Sequence, residues 1–412
     1  MAMMGKDPGM WIQEMVTGHD AWRSRCINLM ASENVMSLRA RALLASDLAT
    51  RYTLPLGIEL DGVLVENAYR GTRFTDQIEG ACESLARDVF HAKHANVKPL
   101  GGHISGMMML LAICKRGDLI LATSDDNGGY HGYVQRYMPD MFGLRSITFP
   151  FDNEEWQINM DATLALIRKK RPRLVILGMS YFPFPYDMAP IREACDDTGS
   201  VIGYDASHVL GLVAGGQFQD PLAEGADIMV GSTHKTFFGP QGGLVLTNDE
   251  DLHEQVDMNT TWRCIDNAHW NRIAALAHAL LEARHFSKDY AAQVVRNSQA
   301  LARSLDREGV PLRFSKKGYT RSHQVLLDGI AFQKGSGMDA NVLAKSLEAQ
   351  DIIIDAVGRM GTNEVTRLGM KEKEMDDIAR LIGRAAKGEG DLRGEANALR
   401  SRFGMAYCFD DA

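Results

Sequence analysis

Cysteine is scarce in this chain. Its six cysteines, at positions 26, 82, 114, 195, 264 and 408 of 412, form none of the closely spaced Cys/Cys or Cys/His sets that ligate zinc. They read as free thiols of a reducing compartment, so neither a disulfide scaffold nor a structural metal is expected. No segment approaches the roughly 18 consecutive apolar residues of a membrane-spanning helix, and the opening MAMMGKDPGMWIQEM lacks the apolar core of a secretory leader. Basic charge is in deficit, with 45 Lys and Arg against 53 Asp and Glu, and the net charge of -8 offers no footprint for nucleic acid or an anionic membrane. Repeats and low-complexity segments are absent as well. What remains is an ordinary globular composition, long enough for two or three domains, and a cytoplasmic protein that handles small molecules.

Before about residue 50 the pattern is helical and amphipathic, broken at Ala31-Ser32-Glu33-Asn34, where Ser and Asn are able to cap a following helix. Residues 1–50 read as an N-terminal helical arm. Between Ala95 and Val245, short apolar runs (119–122, 174–177, 201–204, 228–230, 243–246) alternate with helical stretches such as 160–170 and 190–198. That alternation predicts βαβ units and a mostly parallel sheet covered by helices, in a large domain over 51–272. A helical run over 274–309 is long enough to join two domains, and the strand-like 323–327 and 351–354 with a helix over 371–387 predict a smaller C-terminal α+β domain within 273–412.

The densest chemical signal is Gly231-Ser232-Thr233-His234-Lys235-Thr236-Phe237-Phe238-Gly239-Pro240-Gln241-Gly242-Gly243. Lys235 directly follows a predicted strand, among small hydroxyl residues and ahead of a turn rich in Gly and Pro. A lysine confined there is placed to act as an imine-forming amine. Upstream, Asp205 ends the predicted strand 201–204 in Tyr204-Asp205-Ala206-Ser207-His208, and ligands of open α/β sheets lie just outside such strand ends. Alone, Asp205 reads equally well as a turn cap. Paired with Lys235, it reads as the partner of the pyridine nitrogen of pyridoxal 5'-phosphate (PLP), with His208 against the ring or its hydroxyl. The glycines of Asn96-Val97-Lys98-Pro99-Leu100-Gly101-Gly102-His103 precede an apolar helical run, so free N–H groups at a helix start would suit the cofactor's phosphate.

At these residues the chain resembles the serine hydroxymethyltransferase family of fold-type-I PLP enzymes, most closely its archaeal members. The resemblance also runs through Asn28 to Asn34, Tyr204 to Gly215, Arg359 to Thr362 and Thr366 to Met370. It implies a seven-stranded, mostly parallel sheet in the large domain and a homodimer with shared active sites. It also implies that Lys235 carries PLP, Asp205 faces the ring nitrogen, and Gly101, Gly102 and His103 form the phosphate cup. Ser180, Ser232, His234 and His208 are counted with the cofactor contacts, Gly242 and Gly243 with a phosphate approached from the partner. Arg359 and Ser32 would hold the substrate carboxylate, an arginine fork matching it bidentately. Tyr52 and Tyr69 would reach the site from the partner chain.

Three departures bear on activity. Tyr52-Thr53-Leu54-Pro55 stands where the family reads Tyr-Ala-Glu-Gly, so Leu54 replaces the glutamate used for acid–base work in folate-dependent transfer. Only Asp355 to Gly358 separates Ile354 from Arg359, where the family has a longer loop that helps contain folate. Gly128-Gly129-Tyr130 replaces the family's Gly-Gly-His beside the PLP ring, and a tyrosine stacks without titrating near neutral pH. The stretch from Leu56 to Asn67 is longer than the family norm, either a solvated insertion or a reshaped pocket wall.

The expected enzyme is therefore folate-independent and acts at Cα/Cβ of a β-hydroxy or β-functionalised amino acid, by aldol-type cleavage, transfer, or β-elimination and replacement. Asp125 and Asp126 lie in the segment aligned along the ring, and either cap the turn or pair with a guanidinium, which would make the substrate a hydroxylated arginine-like compound that is cyclised. The alternatives are authentic serine hydroxymethyltransfer or a threonine-aldolase-like reaction. A binding protein that has lost catalysis fits poorly, since Lys235, Asp205 and Arg359 all persist.

Overall fold

Seven strands line up across the sheet of the larger unit in the computed structural model, which describes residues 8–410. In chain order they are β1 (His94–Asn96), β2 (Leu119–Ala122), β3 (Arg145–Thr148), β4 (Leu174–Leu177), β5 (Val201–Asp205), β6 (Ile228–Ser232) and β7 (Gly243–Thr247). Their spatial order is β1-β7-β6-β5-β4-β2-β3, and β7 alone runs antiparallel to both neighbours. Strands covered on both faces need apolar side chains on both faces, and Leu174-Val175-Ile176-Leu177 is buried throughout. The helix Gly102–Ile113 is apolar nearly all round for the same reason: Met108, Met109 and Leu110 pack with Ile120, Ile176, Ile228 and Val230. Gly203 permits the contact, since a Cβ there would lie 2.4 Å from Met109 Sδ. Six co-directional strands bring their C-terminal ends to one edge of the sheet, and the loops there build the site.

The expected strands appear within a residue or two of their predicted ends, as does the helix Met160–Lys170, while the long helix expected over 274–309 runs over Trp270–Arg307 and starts four residues earlier. The predicted N-terminal arm does not stand alone. Residues up to Ala31 cluster with Arg296–Tyr319 and Gln324–Ala406 in the smaller unit, and the larger unit comprises Ser32–Val295, Thr320–His323 and the chain from Tyr407. The reason is a two-residue parallel strand, Ile27–Asn28, paired with Ile352–Ile353, too short to leave a periodicity. Residues 1–7 of the arm lie outside the described residues. The helix after the break is capped by Ser37, whose Oγ accepts from Ala40 N, and not by Ser32 or Asn34.

In the smaller unit, Gln324–Leu326 pairs antiparallel with Arg359–Gly361. Helices Ala340–Glu348 and Glu372–Ala386 bury Leu343, Leu347, Ile378 and Ile382 in its core, giving the α+β composition expected. The inserted stretch in the larger unit is a β-hairpin, Pro55–Leu60 with Val63–Asn67. Asp61 and Gly62 both take positive φ (51° and 77°) at its turn, the backbone that Asp-Gly adopts in tight hairpins.

Candidate active site

Strand β6 ends at Ser232, and the chain then loops through Lys235 before returning as β7. The loop is closed by its own backbone and hydroxyls: Thr233 N donates to Gly242 O at 3.0 Å, Gly239 N to Thr233 O at 2.8 Å, and Thr233 Oγ1 to Pro240 O at 2.6 Å. Thr236 Oγ1 donates to His208 O at 2.8 Å and accepts from Gly211 N at 3.0 Å, fastening the lysine loop to the segment after β5. Lys235 lines a cavity with Gly102, His103, Tyr130, Met179, Ser180, Asp205, Ser207, His208 and Ser232.

Asp205 is 8% exposed, and a buried carboxylate needs donors. It has two: Tyr133 Oη donates to Oδ2 at 3.0 Å and Ser207 N to Oδ1 at 2.9 Å. Burial and the neighbouring Asp205 charge push the Tyr133 phenol well above its usual range, so it stays an O–H donor at all ordinary pH. Gly106 makes room for this tyrosine; a Cβ there would lie 2.7 Å from Tyr133 Oη.

Opposite, Gly101 caps the helix Gly102–Ile113 with no side chain, leaving the first N–H groups and the positive helix end open. A Cβ on Gly102 would fall 2.2 Å from Ser232 Oγ and 2.9 Å from Ser207 Oγ, so the glycine keeps a small polar cradle clear between a helix start and two hydroxyls. A lysine-lined cavity with a fixed carboxylate and an anion cradle is what PLP requires.

Tyr130 Oη and His103 Nδ1 are 2.7 Å apart at the cavity edge, and burial followed by the Asp205 charge raises the Tyr130 phenol. His208 is buried, its ring 5.9 Å from that of His323 and nearly parallel to it. His234 adjoins Lys235 outside the lining; burial, and then the Lys235 charge, lower it to about 4, and its Nδ1 has no hydrogen-bond partner among the described residues.

Other predicted residues lie elsewhere. Gly242 and Gly243 are buried in their own chain, where Cβ atoms would meet Arg272 Nη1 at 2.5 Å and Ser105 Oγ at 2.2 Å. That packing supports the loop beneath the cup and does not present the pair to a second subunit. Tyr52 and Tyr69 are exposed, with ring centroids 5.0 Å apart, and Tyr52 Oη bonds to Asp266. Asp125 already has partners in its own chain, His131 Nδ1 at 3.2 Å and the Arg136 guanidinium at 3.8 Å, while Asp126 is exposed. Neither lines the cavity, and Ser32 does not either. In the smaller unit Arg359 is fixed by Asp355, which accepts from its Nε and its N, each at 2.8 Å, around a turn that uses Gly358 at φ 79°. The sequence reading missed Tyr133, Ser207 and Met179. Ser207 was readable from its place two residues past Asp205; Tyr133 comes from another loop and left no local signal.

Comparisons with known proteins agree with this geometry. The family described as serine hydroxymethyltransferase matches residues 6–382. The chain belongs to the serine hydroxymethyltransferase family. Among its relatives, the serine hydroxymethyltransferase of Methanocaldococcus jannaschii is 39% identical over 91% of this chain and 89% of its own, and that of Archaeoglobus fulgidus is 38% identical over 97% and 92%. Among solved structures, L-threonine transaldolase from Pseudomonas fluorescens, in its internal aldimine state, superposes with a TM-score of 0.87 at 26% identity, covering 97% of this chain and 93% of that one. The protein is thus a PLP-dependent enzyme of the serine hydroxymethyltransferase family.

Proposed function

We propose that this family member breaks and remakes the Cα–Cβ bond of a β-hydroxy-α-amino acid without folate, by aldol-type cleavage or transfer to an aldehyde. The observation that carries the reading is Leu54. It sits at the base of the inserted hairpin, its N donating to Asn67 Oδ1 at 3.2 Å and its O accepting from Ala68 N at 2.9 Å, where the family's glutamate would handle a proton. Leucine moves none. The similarity to an L-threonine transaldolase supports the same reading.

When bound, PLP supplies an electron sink for negative charge at the substrate Cα. The chain's own residues do the rest. Lys235 is the covalent anchor; Asp205, held by Tyr133 and Ser207, keeps a proton on the ring nitrogen; Gly102, His103 and Ser232 receive the phosphate. The hydrogen-bonded pair of Tyr130 Oη and His103 Nδ1, 2.7 Å apart, would take over the work on the β-hydroxyl that Leu54 is unable to do. Arg359 of the smaller unit, pre-oriented by Asp355, is the residue proposed for the substrate carboxylate. Cyclisation of an arginine-like substrate has less support, because Asp125 already faces His131 and Arg136.

The functional unit in this reading is a cytoplasmic homodimer. Tyr52, Tyr69 and the hairpin residues Ile58, Leu60, Val63 and Leu64 are all more than 40% exposed, an apolar surface that a second subunit would cover. The test is product analysis with threonine and an aromatic aldehyde, without folate. Acetaldehyde and a new β-hydroxy amino acid are expected, and serine with tetrahydrofolate should yield little glycine. The names of the archaeal relatives favour the opposite result, folate-stimulated conversion of serine to glycine, which would make the protein a hydroxymethyltransferase.

A further inference from the structure

The chain rejoins the larger unit at Tyr407, and Tyr407, Phe409 and Asp410 each contact it. The Phe409 ring lies 5.1 Å from Phe286 and 5.6 Å from His285, and Phe409 N donates to the fully buried Glu282 at 3.3 Å. Asp410 accepts from Leu38 N at 2.6 Å and Arg39 N at 3.1 Å, the first N–H groups of the helix Leu38–Leu43. The Tyr407 ring meets the Tyr290 ring edge-on at 5.7 Å.

Tyr290 is fully buried, and its Oη donates to Thr236 O at 3.1 Å while accepting from Asn34 Nδ2 at 2.9 Å. Asn34 Nδ2 also donates to Lys235 O at 2.8 Å. Two routes therefore lead from the segment to the lysine backbone. One runs from Tyr407 through Tyr290 to Thr236. The other runs from Asp410 through the start of the helix Leu38–Leu43 to Asn34, three residues before its cap Ser37, and on to Lys235 O.

We propose that Tyr407–Asp410 is a strap that sets the backbone of Lys235 through Asn34 and Tyr290, which makes these two positioning residues for the cofactor lysine. The inference rests on the reading of Lys235 as the PLP anchor. A lysine amine on a flexible four-carbon stem is only as well placed as its Cα, and a small misplacement lowers reactivity steeply. The carbonyls of Lys235 and Thr236 have their donors on Asn34 and Tyr290, so loosening the strap frees the loop without removing any group from the cavity.

The test uses the holoenzyme and three full-length variants, Tyr290→Phe, Asp410→Ala and Asp410→Asn, with a chain ending at Ala406 beside them. The readouts are the rate at which PLP is lost to excess hydroxylamine and amide hydrogen exchange over residues 231–243. Asp410→Ala and the shortened chain are expected to lose PLP at least tenfold faster, with exchange quickened over 231–243. Tyr290→Phe should show the same pattern at smaller size, and Asp410→Asn, which keeps an acceptor oxygen, should stay within about twofold of the parent. If the shortened chain does not fold, the full-length variants decide. Faster exchange confined to residues 38–43 and 278–290, with PLP loss within twofold of the parent, would reduce the strap to an anchor for the chain end. PLP found on a lysine other than Lys235 in the unmodified protein would instead remove the reading on which the inference rests.

Discussion

Gly102→Ala probes the anion cradle with a single methyl group. The added Cβ would lie 2.2 Å from Ser232 Oγ and 2.9 Å from Ser207 Oγ, so the Ser232 hydroxyl must swing away and the methyl takes its place in the cradle. Gly102 is the first residue of its helix and does not use a left-handed backbone, so alanine adds no backbone strain, and its gain of about 0.4–1 kcal/mol from lower unfolded-chain entropy offsets part of the cost of displacing the Ser232 hydroxyl. The bound phosphate would lose one charge-assisted contact, worth about 1.5–3 kcal/mol, and the Kd for PLP should rise roughly tenfold to hundredfold. Titrating the apoprotein with PLP and, separately, with pyridoxal separates the two contributions by visible absorbance. PLP affinity should fall steeply, pyridoxal affinity should barely change, and the apoprotein should still unfold cooperatively. Equal losses for PLP and pyridoxal, or no loss for either, would refute the placement of the phosphate at this helix start.

Tyr133→Phe removes a buried donor to Asp205, and the hydrogen bond to a charged acceptor predicts a loss of about 1.5–3 kcal/mol in urea unfolding of the apoprotein; an unchanged midpoint would contradict the pairing. His234 supplies a pH test. Its folded pKa of about 4 lies below the 6.5 of the free side chain, so between these values the unfolded chain binds the proton and the folded one does not. Stability should therefore fall as pH drops from about 6.5 to 4, by up to about 3 kcal/mol, and His234→Gln should flatten that limb in acid unfolding of the apoprotein; an identical slope in both proteins would show that the ring is not held neutral.

The parts of the fold that are legible in the sequence are those with long, uniform patterns. Leu174–Leu177 is an unbroken apolar run because both its faces are covered, and Trp270–Arg307 is helical over 38 residues. Lys235, Asp205 and Gly102 are legible because each sits at the end of a strand or the start of a helix, where local sequence fixes the backbone. The pair Ile27–Asn28 and Ile352–Ile353 is not, since two residues carry no period and the partners are over 300 positions apart. Tyr133 escaped for a related reason: its value lies in a contact with Asp205, 72 residues away. The hairpin over 55–67 is legible too, because Asp61-Gly62 between apolar residues is a strong turn signal. The suggested role of Asp125 failed to anticipate His131 and Arg136, which meet its carboxylate from a few residues along the chain.

Lys235 as the cofactor anchor underlies the whole account, and borohydride reduction of the holoenzyme followed by peptide mapping tests it most directly. The phosphopyridoxyl group is expected on the peptide containing Lys235, and Lys235→Ala should lose both the label and the visible absorbance. Its appearance on another lysine, such as Lys98, which is partly buried and paired with Glu79 at 2.6 Å, would contradict the account.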